Sequence, residues 1–314
     1  MLGLKIESRS RLVAIFFMGL LCYGINAVFA DVAPTGGIQH YSPVYLAAYD
    51  REHHLLALIR SYENQGTAYY LTVDSNTLVT QVMRASDVNL LLDNKVLNNS
   101  NYFKMLERYS EAPYPLVNYG LTRAGKDVPG VFLTIDLCPS HKLFEQRFFE
   151  TLVAMSEKED RPIPIAISVT GLWMIHHSAE MNWLLAQEKN NKLQIIWVNH
   201  SFHHPVKDHF LLAPGINFDE EVFDTEKLLL AEGEVPSVFF RFPGLESNQE
   251  LILKLREFGL IAVGSDAWLA KGQKITQGSI ILVHGNSNEP LGIKLIMPML
   301  QADQLHLLPL LQAL

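Results

Sequence analysis

The chain reads as an α/β protein built on a parallel sheet, open or closed into a barrel, and three observations carry that reading. From residue 129 onward, short apolar β-branched runs alternate with segments of helical periodicity, which is the pattern of a parallel sheet with crossover helices. Chemically capable side chains recur at the ends of those runs: Asp136, His200, Arg241, Asp266 and His284. In parallel α/β folds the chemistry sits at the C-terminal ends of strands. Finally, 48% of the 314 residues are hydrophobic and 18% charged, which is ample for a large core and unlike a disordered or fibrous chain.

The elements follow in order. "VFLTIDL" at 131–137, bounded by Pro129, Gly130 and Pro139, reads as a buried strand. Helical spacing follows over 141–158, then a second buried strand, "IPIAISVT", at 163–170. A helix at 178–190 leads to the strand "LQIIWVN" at 193–199. The segment 218–233 is helical, with acidic residues in its first turn and Gly233 near its end, as the helix dipole and C-terminal capping favour. "SVFFRFP" (237–243), "LIAVGSD" (260–266) and "SIILVHG" (279–285) read as further strands.

Residues 31–128 read as a mixed α+β accessory region of no assigned role. "TAYYLTV" and "LVTQVM" flank "DSNT" as two strands around a turn, and 99–110 has a polar start and the look of a short helix. The proline- and glycine-containing stretches at 111–115 and 123–130 interrupt regular structure, placing a boundary near Val128.

Residues 1–30 have the form of a secretory signal peptide. Lys5, Arg9 and Arg11 make a basic start, 12–24 is apolar, and Ala30 is small enough to precede a cleavage. A periplasmic or secreted location follows. Contact with a membrane is expected only if this segment is not cleaved. The chain has two cysteines. Cleavage would remove Cys22 and leave Cys138, so an intramolecular disulfide is not expected. The net charge of −8 argues against a nucleic-acid partner, because neutralisation of phosphates by Lys and Arg carries most of that affinity.

"NHSFHHP" at 199–205 places His200 and His204 four residues apart, a spacing that lets two imidazoles meet in a tight loop and bind one divalent ion. This stretch resembles the histidine motif of the polysaccharide deacetylases, carbohydrate esterase family four. Other segments resemble the remaining motifs in the same order: "TIDLCPS" at 134–140, "FRFPG" at 240–244, "SDAW" at 265–268 and "LVH" at 282–284. The resemblance covers about residues 129–311.

The resemblance implies an irregular (β/α) barrel of about seven parallel strands. It also implies a metal-dependent hydrolase that removes N-acetyl groups from a glycan containing N-acetylglucosamine. The expected metal, zinc, would be held by His200 and His204 and would polarise the acetamide carbonyl and acidify a water. Asp136 would be the catalytic base, oriented by Arg241. His284 would protonate the leaving amine, with Asp266 holding its ring. The backbone N–H of Gly244 would bind the oxyanion, while Trp268 and Leu282 would form the slot for the acetyl methyl.

One position departs from the family pattern. The family places a second aspartate, a metal ligand, immediately after the first; here that residue is Leu137, followed by Cys138. Three outcomes follow from the residues. Asp136 itself ligates the metal; or Cys138 supplies a thiolate, against its reading as a buried, inert thiol; or metal is weak or absent and the protein is a metal-free hydrolase or a non-catalytic glycan-binding or envelope-structural relative. If the site is an otherwise normal family site with a depleted metal shell, Leu137→Asp would restore the missing ligand; unchanged affinity would instead point to a different coordination through Asp136. His203 reads as a solvated side chain.

Overall fold

A computed structural model describes residues 37–205 and 207–314. The signal-like segment at 1–30 lies outside them. Among the described residues no helix is long and apolar enough to cross a membrane.

The first part is an antiparallel sheet of five strands: β1 (Gln39–Tyr49), β2 (Leu55–Asn64), β3 (Thr67–Asp74), β4 (Thr80–Arg84) and β5 (Asn89–Leu90), in the order β4-β3-β2-β1-β5. The short helix α1 (Asn101–Arg108) follows, its first turn capped by the Ser100 side chain, which accepts from the Phe103 N–H. The turn expected at "DSNT" is built by Asp74, whose carboxylate accepts from the N–H groups of Asn76 and Thr77.

The second part contains β6 (Phe132–Leu137), α2 (Gln146–Glu159), β7 (Ile163–Val169), α3 (Gly171–His176), α4 (Ser178–Lys189), β8 (Leu193–Asn199), α5 (Phe218–Ala231), β9 (Phe239–Phe240), α6 (Gln249–Glu257), β10 (Ile261–Ala262), β11 (Ala267–Trp268), β12 (Ile280–His284) and α7 (Pro290–Gln301). Its seven strands pair in parallel in the order β10-β9-β8-β7-β6-β12-β11. This is the parallel sheet that the alternating pattern implies, and the irregular (β/α) barrel that the motif resemblance implies. β9, β10 and β11 are two residues each, shorter than the apolar runs around them.

The period of two sorts the strand residues between two apolar layers. Phe132, Ala166, Val198, Phe240 and Ile280 belong to the core shared with the N-terminal sheet, whereas Leu133, Ile135, Leu137, Ile167 and Val283 belong to the layer containing Phe148, Phe149 and Leu152 of α2. Asp136 and Thr134 have the parity of Phe132, and His284 and Leu282 that of Ile280. Pairing of β12 with β6 sets His284 directly beside Asp136.

The N-terminal region is packed into the barrel rather than tethered to it. Arg60 on β2, fully buried, makes a bidentate pair with Glu226 on α5 (2.7 and 2.8 Å) and also donates to the Phe258 carbonyl. Tyr41 adds a third hydrogen bond to the same carboxylate. Residues 117–124, placed by the sequence with the accessory region, sit structurally at the barrel seam. Leu121 bridges to Val263 beyond β10, and Arg123 to Ser279 before β12. Gly120 permits this close approach: its φ is +97°, and a Cβ there would fall 2.2 Å from the Ala262 carbonyl oxygen.

Candidate active site

The C-terminal ends of β6, β8, β9, β11 and β12 open into a cleft of about 550 Å³, within the usual range for small-ligand sites. Asp136, Cys138, His200, His204, Gly244, Trp268, Leu282 and His284 all line it.

Arg241 organises the floor. Its guanidinium is fully buried and donates to Asp136 Oδ1 (2.7 Å), Thr134 Oγ1 (2.8 Å) and the Gly264 carbonyl (2.9 Å). Burial works against a charged Asp136, but Arg241, supported by His200 and His284, lowers its carboxyl to about 2. The other oxygen, Oδ2, is 3.8 Å from His200 Nε2.

The histidine motif is a tight loop, not a helical turn. Ser201 and His204 both adopt positive φ (73° and 35°), a costly conformation for non-glycine residues that the surroundings must enforce. Asn199 does so from one side, accepting from the Ser201 N–H and donating to the Val222 carbonyl. Glu221 does so from the other: it accepts from the N–H groups of Phe202 and His203, from the Ser201 hydroxyl and from His203 Nδ1 (2.6 Å). His203, read from sequence as a solvated side chain, is therefore an exposed ring with a defined hydrogen-bond partner, Glu221. The result is that the His200 and His204 rings face each other, centroids 4.7 Å apart.

Cys138 completes this pair. Its Sγ lies 3.6 Å from His200 Nε2, and one ligand atom from each of Cys138, His200 and His204 falls within 4.8 Å of the other two. A tetrahedral ion with ordinary Zn–S and Zn–N bond lengths would hold a sulfur and a nitrogen ~3.6 Å apart. His200 Nδ1 is 2.8 Å from the Arg241 carbonyl. Donating there fixes the tautomer and leaves the Nε2 lone pair toward Cys138. His204 Nδ1 is buried with no hydrogen-bond partner among the described residues. Burial alone would raise the Cys138 thiol; the imidazoles of His204 and His200 outweigh it and hold the thiol well below its ordinary value. A thiolate, two oriented imidazoles and an orphaned ring nitrogen fit a borderline-soft divalent ion. Cys138 is thus a buried thiol set beside two imidazoles, an arrangement that could hold a metal ion.

Leu137, by contrast, is fully buried in the α2-side layer, among Ile135, Phe148, Phe149 and Trp173. Alternation along β6 sends Asp136 and Cys138 to the cleft and Leu137 away from it. The expectation that Leu137→Asp restores a ligand is corrected accordingly. The variant should bind metal no more tightly and should lose about 4 kcal/mol or more of stability, the cost of an unpaired buried carboxylate. Denaturant unfolding together with metal titration checks both.

The role expected of Asp266 is also reassigned. Its carboxylate accepts from Arg123 Nη1 (2.6 Å), the Ile280 N–H (2.9 Å) and the Ser279 hydroxyl; it pins the start of β12 to the seam segment. The carboxylate beside His284 belongs to Glu289: Oε2 lies 3.0 Å from His284 Nδ1, an ionic contact without hydrogen-bond alignment. The same oxygen accepts from Trp268 Nε1 at 2.6 Å. Burial opposes a charged His284, but its contacts with Cys138 and Glu289 and the charge of Asp136 raise it to about 10. Trp268 is thus half-buried and anchored, and Leu282 is buried at the cleft wall. Sequence reading missed Glu289, Glu221 and Thr134. Glu289 lies five residues beyond His284, outside any matched motif. Glu221 looked like one of three acids in a helix's first turn.

Comparison with known proteins adds two findings. A family model described as "RP012 protein N-terminal domain" matches residues 39–114, which span the antiparallel sheet and α1. Similar solved structures include a family 4 carbohydrate esterase from Bacillus anthracis (20% identity, TM-score 0.45, 67% of this chain and 89% of that one). The chitin deacetylase of the fungal pathogen Colletotrichum lindemuthianum is another (13%, 0.47, 65% and 93%). A CE4 family pseudoenzyme from Bacillus anthracis is also similar (16%, 0.40, 59% and 65%). Family 4 carbohydrate esterases, the family its motifs resemble, are thus among the solved structures this chain is similar to.

Proposed function

We propose that this protein is a metal-dependent hydrolase, with zinc the favoured ion, that removes N-acetyl groups from a glycan containing N-acetylglucosamine outside the cytoplasm. The observation that carries the proposal is one cleft holding three metal-type donors, Cys138, His200 and His204, beside the Asp136–Arg241 pair and His284. The extracytoplasmic location rests on the signal-like pattern at 1–30.

A bound divalent ion would polarise the acetamide carbonyl and make a water a better nucleophile. The protein's own groups do the rest. Asp136 is ionised throughout the physiological range, and Arg241 takes only Oδ1, so Oδ2 is the acceptor for the water's proton. On this reading the N–H of Gly244, which lines the cleft, donates to the developing oxyanion. His284 is held protonated and lies beside Asp136 on the neighbouring strand; it delivers a proton to the departing amine nitrogen. Leu282 and the Trp268 ring provide apolar walls for the acetyl methyl.

Glu289 acts through His284. Glu289→Gln should lower kcat by roughly 10²-fold, a part of what general acid catalysis contributes, with KM little changed. Asp266→Asn should instead cost about 1 kcal/mol of stability through the weakened Arg123 contact, leaving kcat near that of the parent. Steady-state kinetics on an acetylated chitin oligomer separates the two. The test of the proposal as a whole is acetate release from chitin oligomers and peptidoglycan by metal-loaded protein. Release that is abolished by chelation and restored by zinc supports it. Glycan binding without release by the loaded protein would make this a non-catalytic glycan-binding protein.

A further inference from the structure

β6 ends at Leu137, so Cys138 has left the sheet ladder, and its place depends on what holds the chain just beyond the strand. The strand end is held from both neighbours. Gly285 donates its N–H to the Asp136 carbonyl (3.1 Å), and the Leu137 carbonyl accepts from the Thr170 N–H (3.3 Å) and hydroxyl (3.1 Å). The next carbonyl, that of Cys138, accepts from Asn286 Nδ2 at 2.6 Å. Asn286 is 1% exposed, yet the chemistry proposed for the cleft makes no use of it. Its Oδ1 accepts from the Asn288 N–H (3.4 Å), which keeps the donor end of the amide turned to Cys138. Two further bonds tie the loop after β6 to the loop after β12: Ser140 Oγ donates to Asn288 Oδ1 (3.0 Å), and Ser287 Oγ to Glu145 Oε1 (2.6 Å).

Resting on the metal reading of the same cleft, we propose that Asn286 is a positioning residue for the metal: its amide fixes the Cys138 peptide so that Sγ stays set against His200 and His204. A ligand just past the end of a strand has freedom in its own backbone and χ1, whereas a bound ion needs its donors held to within about 0.5 Å. The Arg241 carbonyl fixes the His200 ring; Asn286 does the same for the sulfur by holding the peptide that carries it. The group facing a carbonyl oxygen must donate, and asparagine supplies an N–H without burying a charge. The segment 284–289 also carries His284 and Glu289 at its two ends. The thiolate and the proton donor are therefore held by one short stretch of chain.

Cobalt(II) titration of the full chain tests this, with the cobalt–thiolate charge-transfer band as the readout. Asn286→Ala should weaken cobalt binding by about 10- to 100-fold, the usual cost of losing a group that orients a ligand. At metal saturation its band should be weaker or shifted. Ser140→Ala removes a tie between the same two loops without touching the Cys138 carbonyl, and should keep cobalt affinity within about two-fold of the parent's, as for a substitution away from the ligands. A purely structural role gives a different result: Asn286→Ala unfolds in less urea, while its cobalt affinity and band match the parent's. That result overturns the proposal. If Asn286→Ala does not fold, Asn286→Ser takes its place, since a hydroxyl there is too short to reach the Cys138 carbonyl. If neither folds, Asn286 serves the fold as a whole and the positioning role is refuted. A parent that binds cobalt without the band refutes Cys138 as a ligand, and the proposal falls with it. A parent with the band beside an unmoved Asn286→Ala refutes the positioning role alone and leaves the metal reading standing.

Discussion

Asp136→Asn is expected to lower acetate release by roughly 10²–10⁴-fold, the usual worth of a positioned general base, while the protein stays folded. The amide keeps an oxygen that can accept from Arg241 Nη1, and Arg241 retains Thr134 Oγ1 and the Gly264 carbonyl as acceptors. What disappears is the basic Oδ2, which Arg241 leaves uncovered. The loss should appear in kcat at saturating substrate, and metal content should stay near that of the parent, since the three donors lie elsewhere. If Asp136 instead ligates the metal, the same variant would lose metal along with rate. Metal analysis of the purified variant beside its kinetics separates these outcomes, and acetate release equal to the parent's would refute the base assignment.

Arg241→Met is expected to act on the fold as strongly as Asp136→Asn acts on the rate. The guanidinium and the Asp136 carboxylate are both removed from water, 0% and 3% exposed. Methionine fills much of the volume but leaves the carboxylate buried beside an apolar chain, along with the Thr134 hydroxyl and the Gly264 carbonyl that it had satisfied. Breaking one partner of such a pair costs about 3–5 kcal/mol, a large part of a typical domain's stability. The double variant Arg241→Met with Asp136→Leu should recover a share of that loss, because no uncompensated charge then remains. Urea unfolding of the single and double variants measures it; a single variant within 1 kcal/mol of the parent, an outcome roughly like that of a surface substitution, would mean the pair is hydrated.

Much of this arrangement was legible in the sequence. The strand ends carrying Asp136, His200, Arg241 and His284 converge on the cleft as the alternation of strands and helices implied. The period of two also contained the answer to the Leu137 problem: with Asp136 inward, Leu137 must face the helices and Cys138 must return to the cleft. Matching residues to a family pattern one by one obscured that, because the pattern assigns the ligand role to the position that Leu137 occupies. Two partners were not legible. Asp266 sits in a matched motif, but its pairing with Arg123 depends on a seam segment more than 140 residues earlier in the chain, which nothing local indicates. Glu289 reaches His284 through the turn after β12, and turn geometry decides which of the nearby polar groups arrives. The antiparallel sheet was seen only at β3 and β4, where a turn signal separates two alternating runs. β1 carries register irregularities and an uneven pattern of burial, so its periodicity is weak.

We propose that Cys138, as thiolate, joins His200 and His204 in holding one divalent ion. Cobalt(II) substitution tests it most directly, because a cobalt–thiolate bond gives a charge-transfer absorption that nitrogen and oxygen ligands do not. The parent protein should bind one equivalent of cobalt with that band. Cys138→Ser should lose the band and bind cobalt more weakly, and the His200→Ala/His204→Ala double variant should lose stoichiometric metal altogether. A cobalt-loaded parent without the thiolate band, or a band that persists in Cys138→Ser, would contradict the assignment.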